Sequence, residues 1–254
     1  MPEPARRIDL NADVGEGSGT DEALLDVVTS ASIACGVHAG DATTMATTLA
    51  AALRRGVAVG AHPSYDDRRG FGRRPVEVTP DELTAGLVSQ IGALATMAQE
   101  VGTAVSYVKP HGALYGAMAA HPPTTGAALD ALGALGVFGN LVLLAPAGSA
   151  ALSLAASRGV PVAAEVFADR AYAPDGTLVP RDRPGAVITD PDEAARRAVL
   201  LATEARVTAI DGTVLTLDAD SICVHGDTPS AAAIATAVRT ALESAGVAVR
   251  RFVP

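Results

Sequence analysis

The sequence predicts a closed (β/α) barrel of about seven to eight parallel strands. Short apolar runs of strand length alternate along the chain with helical patterns, as expected for parallel strands joined by crossover helices. Seven or eight such units fit within 254 residues, the size of one barrel domain spanning 1–254. The composition is 49% apolar but only 3% aromatic, with no Trp, so the core must be layers of small aliphatic side chains. An open doubly wound sheet is the second choice. A dinucleotide-binding version of it is disfavoured, because no G-x-G-x-x-G follows a strand.

The first strand covers 7–11 and runs into Ala12-Asp13-Val14-Gly15-Glu16. A short helix over 21–28 follows, then a second strand over 32–37 that ends in His38-Ala39-Gly40-Asp41. Asp41 is placed to cap a helix over 43–54. The third strand, 57–61, ends in His62 and opens into an Arg-rich loop containing Arg68, Arg69, Arg73 and Arg74. Thr79, Pro80 and Glu82 form a capping-box start for a helix to about Val101. The fourth strand, from 105, carries Lys109 and His111. Residues 127–156 are apolar enough to suggest a membrane span. Asp130, Asn140, Pro146 and several glycines divide them into helix, strand (141–145) and helix instead. The sixth strand, 160–166, enters Phe167-Ala168-Asp169-Arg170 and a long polar loop. Asp190 to Glu193 repeats the capping signature, and 207–217 reads as a β-hairpin turning at Asp211-Gly212. A seventh strand over 221–224 ends in His225-Gly226-Asp227. A helix then starts at Thr228-Pro229 and runs to about Ser244, and 247–253 supplies a last strand.

A formal charge of −9 argues against nucleic acid and anionic membranes as partners. It leaves anionic small molecules open, since local Arg clusters override the global sign. Cys35 and Cys223 sit in apolar runs and read as buried free thiols. The first residues lack an apolar signal-peptide core. These features point to a cytoplasmic protein.

The chemistry concentrates at strand ends. Of the five histidines, all but His121 fall just past a predicted strand: His38, His62, His111 and His225. Asp13, Lys109, Asp169 and Arg170 do the same. A parallel barrel gathers these ends on one face, where such folds build their active sites. Lys109 is the only lysine, every other basic side chain being Arg. A lysine kept against that bias suggests its own chemistry, because a Lys pKa falls readily on burial. In an extended segment Lys109 and His111 share one face. The candidate catalytic set is therefore Asp13, His38, His62, Lys109, His111 and His225. Asp13, His38 and His62 also suit a divalent metal, although no HExxH or CxxC spacing supports one. Glu16, Asp41, Asp169 and Asp227 are candidate substrate or orienting carboxylates, and turn or cap chemistry explains Asp41 and Asp227 equally well. Arg68, Arg73, Arg74 and Arg170 are candidate anion clamps. There is no P-loop and no G-x-S-x-G elbow.

Many separate blocks together resemble the LamB/YcsF family. They include Asp9-Leu-Asn-Ala-Asp-Val-Gly-Glu16, the run from Ser32 to Asp41, Gly60-Ala-His-Pro-Ser-Tyr65 and Gly70-Phe-Gly-Arg-Arg74. Further blocks are Gln90 to Leu94, Val108-Lys-Pro-His-Gly-Ala-Leu-Tyr115, Glu165 with Phe167-Ala-Asp-Arg170, and Asp220 to Asp227. Val37 and Pro75 depart from the family pattern. The resemblance implies a barrel similar to the glycoside hydrolase/deacetylase superfamily. It implies cleavage of the lactam of 5-oxo-L-proline (5-oxoproline) to L-glutamate, coupled to hydrolysis of ATP, as one subunit of a complex with subunits B and C. Without a P-loop, ATP as co-substrate would be held mainly by those partners. Two other functions stay open: a stand-alone metal-dependent hydrolase or deacetylase, and a non-catalytic substrate-binding subunit.

Overall fold

A computed structural model describes residues 6–228 and 230–254. Its strands are β1 (Arg7–Val14), β2 (Ser30–Ala34), β3 (Ala58–His62), β4 (Val105–Val108), β5 (Val142–Pro146), β6 (Val162–Phe167), β7 (Arg206–Thr208), β8 (Val214–Thr216), β9 (Ser221–Val224) and β10 (Ala248–Val249). Its α-helices are α1 (Asp21–Leu25), α2 (Ala42–Arg55), α3 (Pro80–Val101), α4 (Gly112–Ala120), α5 (Pro122–Ala134), α6 (Ala150–Ser157), α7 (Pro191–Glu204) and α8 (Ala231–Ser244). Strands β1 to β6 and β9 pair in parallel in that order. β9 closes on β1 with Asp9 opposite Ser221 and Asn11 opposite Cys223.

The barrel thus has seven strands. The expected last strand exists but does not join the closure: among the described residues β10 pairs only with Arg7 and Ile8, which extend below the start of β9 and β2. The β7–β8 hairpin stands apart as an antiparallel pair.

Period-two alternation explains β1. Ile8, Leu10, Ala12 and Val14 join the main apolar core, while Asp9, Asn11 and Asp13 bond to polar groups of the barrel interior. That interior holds a ladder of buried polar groups. Ser30 and Ser221 donate to Asp9, and Asn11 Nδ2 donates to Ser221 Oγ (2.8 Å) and Glu165 Oε1 (2.9 Å). At the N-terminal end Tyr107 and the C-terminal Phe252 and Val253 plug the barrel, the two rings 5.1 Å apart. Gly60 makes room for Tyr107: a Cβ there would lie 2.2 Å from its ring.

The caps largely follow the sequence. Asp41 accepts from Thr44 N (2.8 Å), and Thr79 and Glu82 form a full capping box. Asp190 caps α7, but Glu193 turns to Arg196 (2.7 Å), so the reciprocal half of that box is not made. α8 begins at Ala231, later than expected, and Pro229 of its expected start lies outside the described residues. The first five residues, which bear on the signal-peptide expectation, lie outside them too. The sequence does not predict α4, because Gly112 and Gly116 mask its helical pattern; it buries Leu114, Tyr115 and Met118. Among the described residues no helix is long and apolar enough to cross a membrane.

Candidate active site

Lys109 leaves β4 at its C-terminal end and points into the barrel, only 2% exposed. Its ammonium lies 2.8 Å from Asp13 Oδ1, 2.9 Å from Glu165 Oε1, 3.0 Å from Cys223 Sγ and 3.3 Å from Asn11 Oδ1. Burial alone would lower its pKa. Asp13 and Glu165 outweigh that and hold it well above the ordinary lysine value. The sequence suggests a lysine softened by burial; the structure instead fixes a permanent cation between two carboxylates. Asp13 responds in kind. Burial would raise it, but His62 and Lys109 keep its carboxyl well below the usual range.

Three imidazoles gather beside this pair. His62 ends β3, and His38 and His111 follow β2 and β4. His62 Nδ1–H donates to the Lys109 carbonyl (2.7 Å), and His111 Nε2–H donates to the Phe71 carbonyl (2.8 Å). The remaining nitrogens, His62 Nε2 and His111 Nδ1, then face each other at 2.9 Å. When both rings are neutral, two lone pairs confront each other. A proton or a cation between them removes the conflict.

Asp13 Oδ2, 3.5 Å from His62 Nε2, favours positive charge there. Burial opposes that charge, but Asp13 outweighs it and raises the His62 pKa. His111 goes the other way: burial, then the neighbouring His62 and His38, keep it neutral. His38 stacks flat on His111 at 3.9 Å and places Nε2 3.1 Å from Glu16 Oε1, while its buried Nδ1 has no partner among the described residues. The loop after β3 roofs the cluster. Phe71 edges onto both His38 and His111, and a Cβ on Gly72 would sit 2.9 Å from His111.

The opposite side of the mouth is arranged differently. Asp169, after β6, accepts both the His225 backbone N–H (2.8 Å) and its Nδ1–H (3.0 Å). Burial would raise Asp169, but His225 and these two bonds lower it. Phe167 stacks on His225 at 5.2 Å. Asp227 takes Arg73 and, from the long β6–α7 loop, Arg181 (3.1 Å).

The sequence leaves Asp41 and Asp227 open between orienting the neighbouring histidine and turn or cap chemistry, and the structure separates these roles. His38 pairs with Glu16 and His225 with Asp169; Asp41 is the cap of α2 and Asp227 an arginine partner. Among the described residues, Glu16, His38, His62 and His111 form one group that could hold a metal, their ligand atoms lying within 4.8 Å of one another. Asp13, expected there, groups instead with Cys223 and His225, and the Lys109 ammonium already sits against Asp13 and Cys223.

Three of the expected arginine clamps serve the protein itself. Arg68 donates to the Gly36 and Gly40 carbonyls, Arg74 to Asp67 (2.9 Å), and Arg170 to the Val179 and Ala186 carbonyls. Sequence reasoning does not single out Glu165, Asn11, Arg181 or Tyr115, whose hydroxyl donates to Glu165 Oε2 (2.7 Å). A carboxylate inside the apolar run of β6 is the available signal for Glu165. Arg181, one arginine among several in a polar loop, offers none.

The chain is a closed parallel β/α barrel with histidines and carboxylates gathered at its mouth. The family 4 carbohydrate esterase of Streptomyces lividans shares that fold, with TM-score 0.52 and 11% identity over 96% of this chain and 91% of that one. The chain belongs to the LamB/YcsF family, whose model matches residues 8–254. It is 52% identical over 250 residues to the 5-oxoprolinase A-subunit of Streptomyces griseus subsp. griseus, covering 96% of this chain and 99% of that one. The corresponding protein of Mycobacterium avium is 50% identical over 250 residues, with 96% and 98% covered. The lactam utilization protein of Thermus thermophilus superposes with TM-score 0.88 at 41% identity, covering 97% and 100%.

Proposed function

We propose that this chain is the lactam-handling subunit of a 5-oxoprolinase, opening 5-oxo-L-proline to L-glutamate with ATP hydrolysis in a complex with subunits B and C. The observation that carries the reading is whole-length identity of about half to chains that bear the name of the 5-oxoprolinase A-subunit. The mouth supplies suitable chemistry. Lys109 is a fixed cation, Asp13 is an ionised carboxylate beside His62, and His225 is oriented by Asp169. Such groups can deliver and remove protons around a ring-opening amide. Without a P-loop here, ATP is assigned to partner-borne chemistry acting on the lactam. The two free buried thiols support a reducing, cytoplasmic setting.

The residues also fit a divalent cation. The bare nitrogens of His62 and His111 need a positive charge between them, and Glu16 Oε1 lies 3.4 Å from His111 Nδ1. Nitrogen and oxygen donors about 3.3 Å apart suit tetrahedral binding at about 2.0–2.1 Å. His62, His111 and Glu16, with His38 beside them, would hold the ion, which would supply Lewis-acid polarisation. The chain's own contribution is to orient both rings through the Lys109 and Phe71 carbonyls.

The test is glutamate release from 5-oxoproline by the purified chain, with and without subunits B and C and with and without ATP. Turnover only with partners and ATP supports the reading. ATP-independent, chelator-sensitive turnover by the chain alone would transfer it to the metal-hydrolase class. A Lys109→Ala complex that assembles and keeps full activity would give the chain a non-catalytic role.

A further inference from the structure

Two guanidiniums from different loops converge on one carboxylate at the mouth. Arg73 comes from the β3–α3 loop, Arg181 from the β6–α7 loop and Asp227 from the β9–α8 loop. Arg181 Nη1 reaches both Asp227 oxygens, at 3.1 and 3.3 Å, and Arg73 Nη2 bonds the same Oδ2. The Arg73 guanidinium lies over the Phe71 ring at 4.9 Å, and Phe71 in turn covers His38 and His111. The cluster is thus one aromatic ring away from the imidazoles. All three side chains remain solvent-accessible, at 38%, 23% and 19%.

The charge does not balance. Arg73, Arg181 and Arg170, the last with hydrogen bonds among the described residues only to backbone carbonyls, carry three positive charges against the two negative charges of Asp227 and Asp169 that act on them, an excess of one. One more anion would neutralise the excess. Guanidinium forks match carboxylates in shape, and the carboxylate is the one full charge on 5-oxoproline at neutral pH.

We propose that Arg73 and Arg181 form the binding site for the substrate carboxylate, and that Asp227 is an internal placeholder which the ligand displaces or joins. This rests on the 5-oxoproline reading above and adds Arg181 as a specificity-determining residue. A placeholder also disfavours loose capture of other anions, because each must compete with a carboxylate already in place. A phosphoryl group has the same oxyanion chemistry, so the test must separate the two.

The full chain is titrated by calorimetry with 5-oxoproline, with 2-pyrrolidinone (the same lactam without the carboxylate) and with inorganic phosphate. Wild type, Arg181→Met, Arg181→Lys and Asp227→Asn are compared, and KM and kcat for 5-oxoproline are then measured in the assembled enzyme. Arg181→Met should weaken 5-oxoproline binding and raise its KM about tenfold or more, with a smaller change in kcat. Arg181→Lys should fall between, and 2-pyrrolidinone should bind all four chains equally. Asp227→Asn should shift 5-oxoproline affinity the opposite way, towards tighter binding.

If Arg181→Met and Asp227→Asn weaken binding alike, the three residues are only a loop clasp and the proposal is overturned. If Arg181→Met weakens phosphate but not 5-oxoproline, the carboxylate assignment is overturned in favour of a phosphoryl group. If the wild-type complex releases no glutamate, the functional reading fails. The anion site is then judged separately by the phosphate titrations, where equal affinities across all four chains would remove it.

Discussion

Asp9 and Asp13 lie on the same face of β1, on either side of Asn11, and both are buried, yet their acidities diverge. At the floor of the barrel Asp9 meets hydroxyls, from Thr29, Ser30 and Ser221. Burial wins there and pushes its pKa up to about 6. At the mouth Asp13 is equally deep, but His62 and Lys109 reverse the outcome. The protein therefore places its one lysine where a charged carboxylate is needed and gives the floor hydroxyls instead. Burial alone does not decide which buried carboxylate is ionised; the partner does.

The largest expected effect comes from making the mouth resemble the floor. Lys109→Met strips the cation from Asp13 and Glu165 and leaves both buried without it. The expected loss is about 3–5 kcal/mol of stability, read from the shift in denaturant midpoint, together with loss of glutamate release. Adding Glu165→Gln should recover part of the stability and none of the activity. A Lys109→Met protein as stable as wild type would break the comparison. Next are His62→Ala and His111→Ala, each expected to cost about 10²–10⁴-fold in kcat/KM of the assembled enzyme. Either variant should also lower the divalent metal retained after dialysis, measured by elemental analysis. Unchanged metal content alongside lost activity would reduce the facing nitrogens to a proton-sharing pair.

The floor supplies the next prediction. A native pKa raised above the unfolded value means that the folded chain holds an extra proton between the two. The stability contributed by Asp9 is full below about pH 3.8 and is lost as pH rises through about 6. Relative to Asp9→Asn, wild type should lose about 1.4 kcal/mol of stability per pH unit between pH 4 and 6. Parallel pH profiles for the two proteins would show that Asp9 is already ionised. On the far side of the mouth, Asp169→Asn removes the carboxylate that orients His225. A loss of about 10–100-fold in kcat is expected, the usual range for a group acting through a functional imidazole. Asp169 has a lowered pKa, so its stabilisation has the opposite sign to that of Asp9. It is full above the ordinary carboxylate pKa and is lost as pH falls through the lower native value. The acid limb of the wild-type stability profile should therefore lose amplitude in Asp169→Asn.

The strand ends are legible in the sequence because they obey local rules: apolar period, then a polar residue, then a cap. That logic alone places Asp13, His62, Lys109 and His225 at one mouth. Partner choice is not legible, because it depends on the closure of the barrel. Glu165 meets Lys109, and Asp169 meets His225, only because β6, β9 and β1 become neighbours. Sequence proximity suggests Asp41 for His38 and Asp227 for His225; both rings find carboxylates from other loops. Arg181 shows the same limit, since its loop has no period and its partner lies 46 residues away.

Asp41 gives the smallest predicted effect and separates the local rule from the site. Its carboxylate accepts from Thr44 N at the start of α2, yet it also stands at the rim of the cavity lined by Glu16, His38 and Phe71. Asn caps a helix about as well as Asp, whereas Ala does not. If Asp41 serves only the helix, Asp41→Asn should match wild type in both stability and kcat/KM. Asp41→Ala should lower Tm by about 3 °C, with kcat/KM within about twofold. If its charge instead serves the reaction at the rim, Asp41→Asn should lower kcat/KM as much as Asp41→Ala while leaving Tm in place. Paired thermal scans and 5-oxoproline kinetics on the two variants decide between a cap and a site carboxylate.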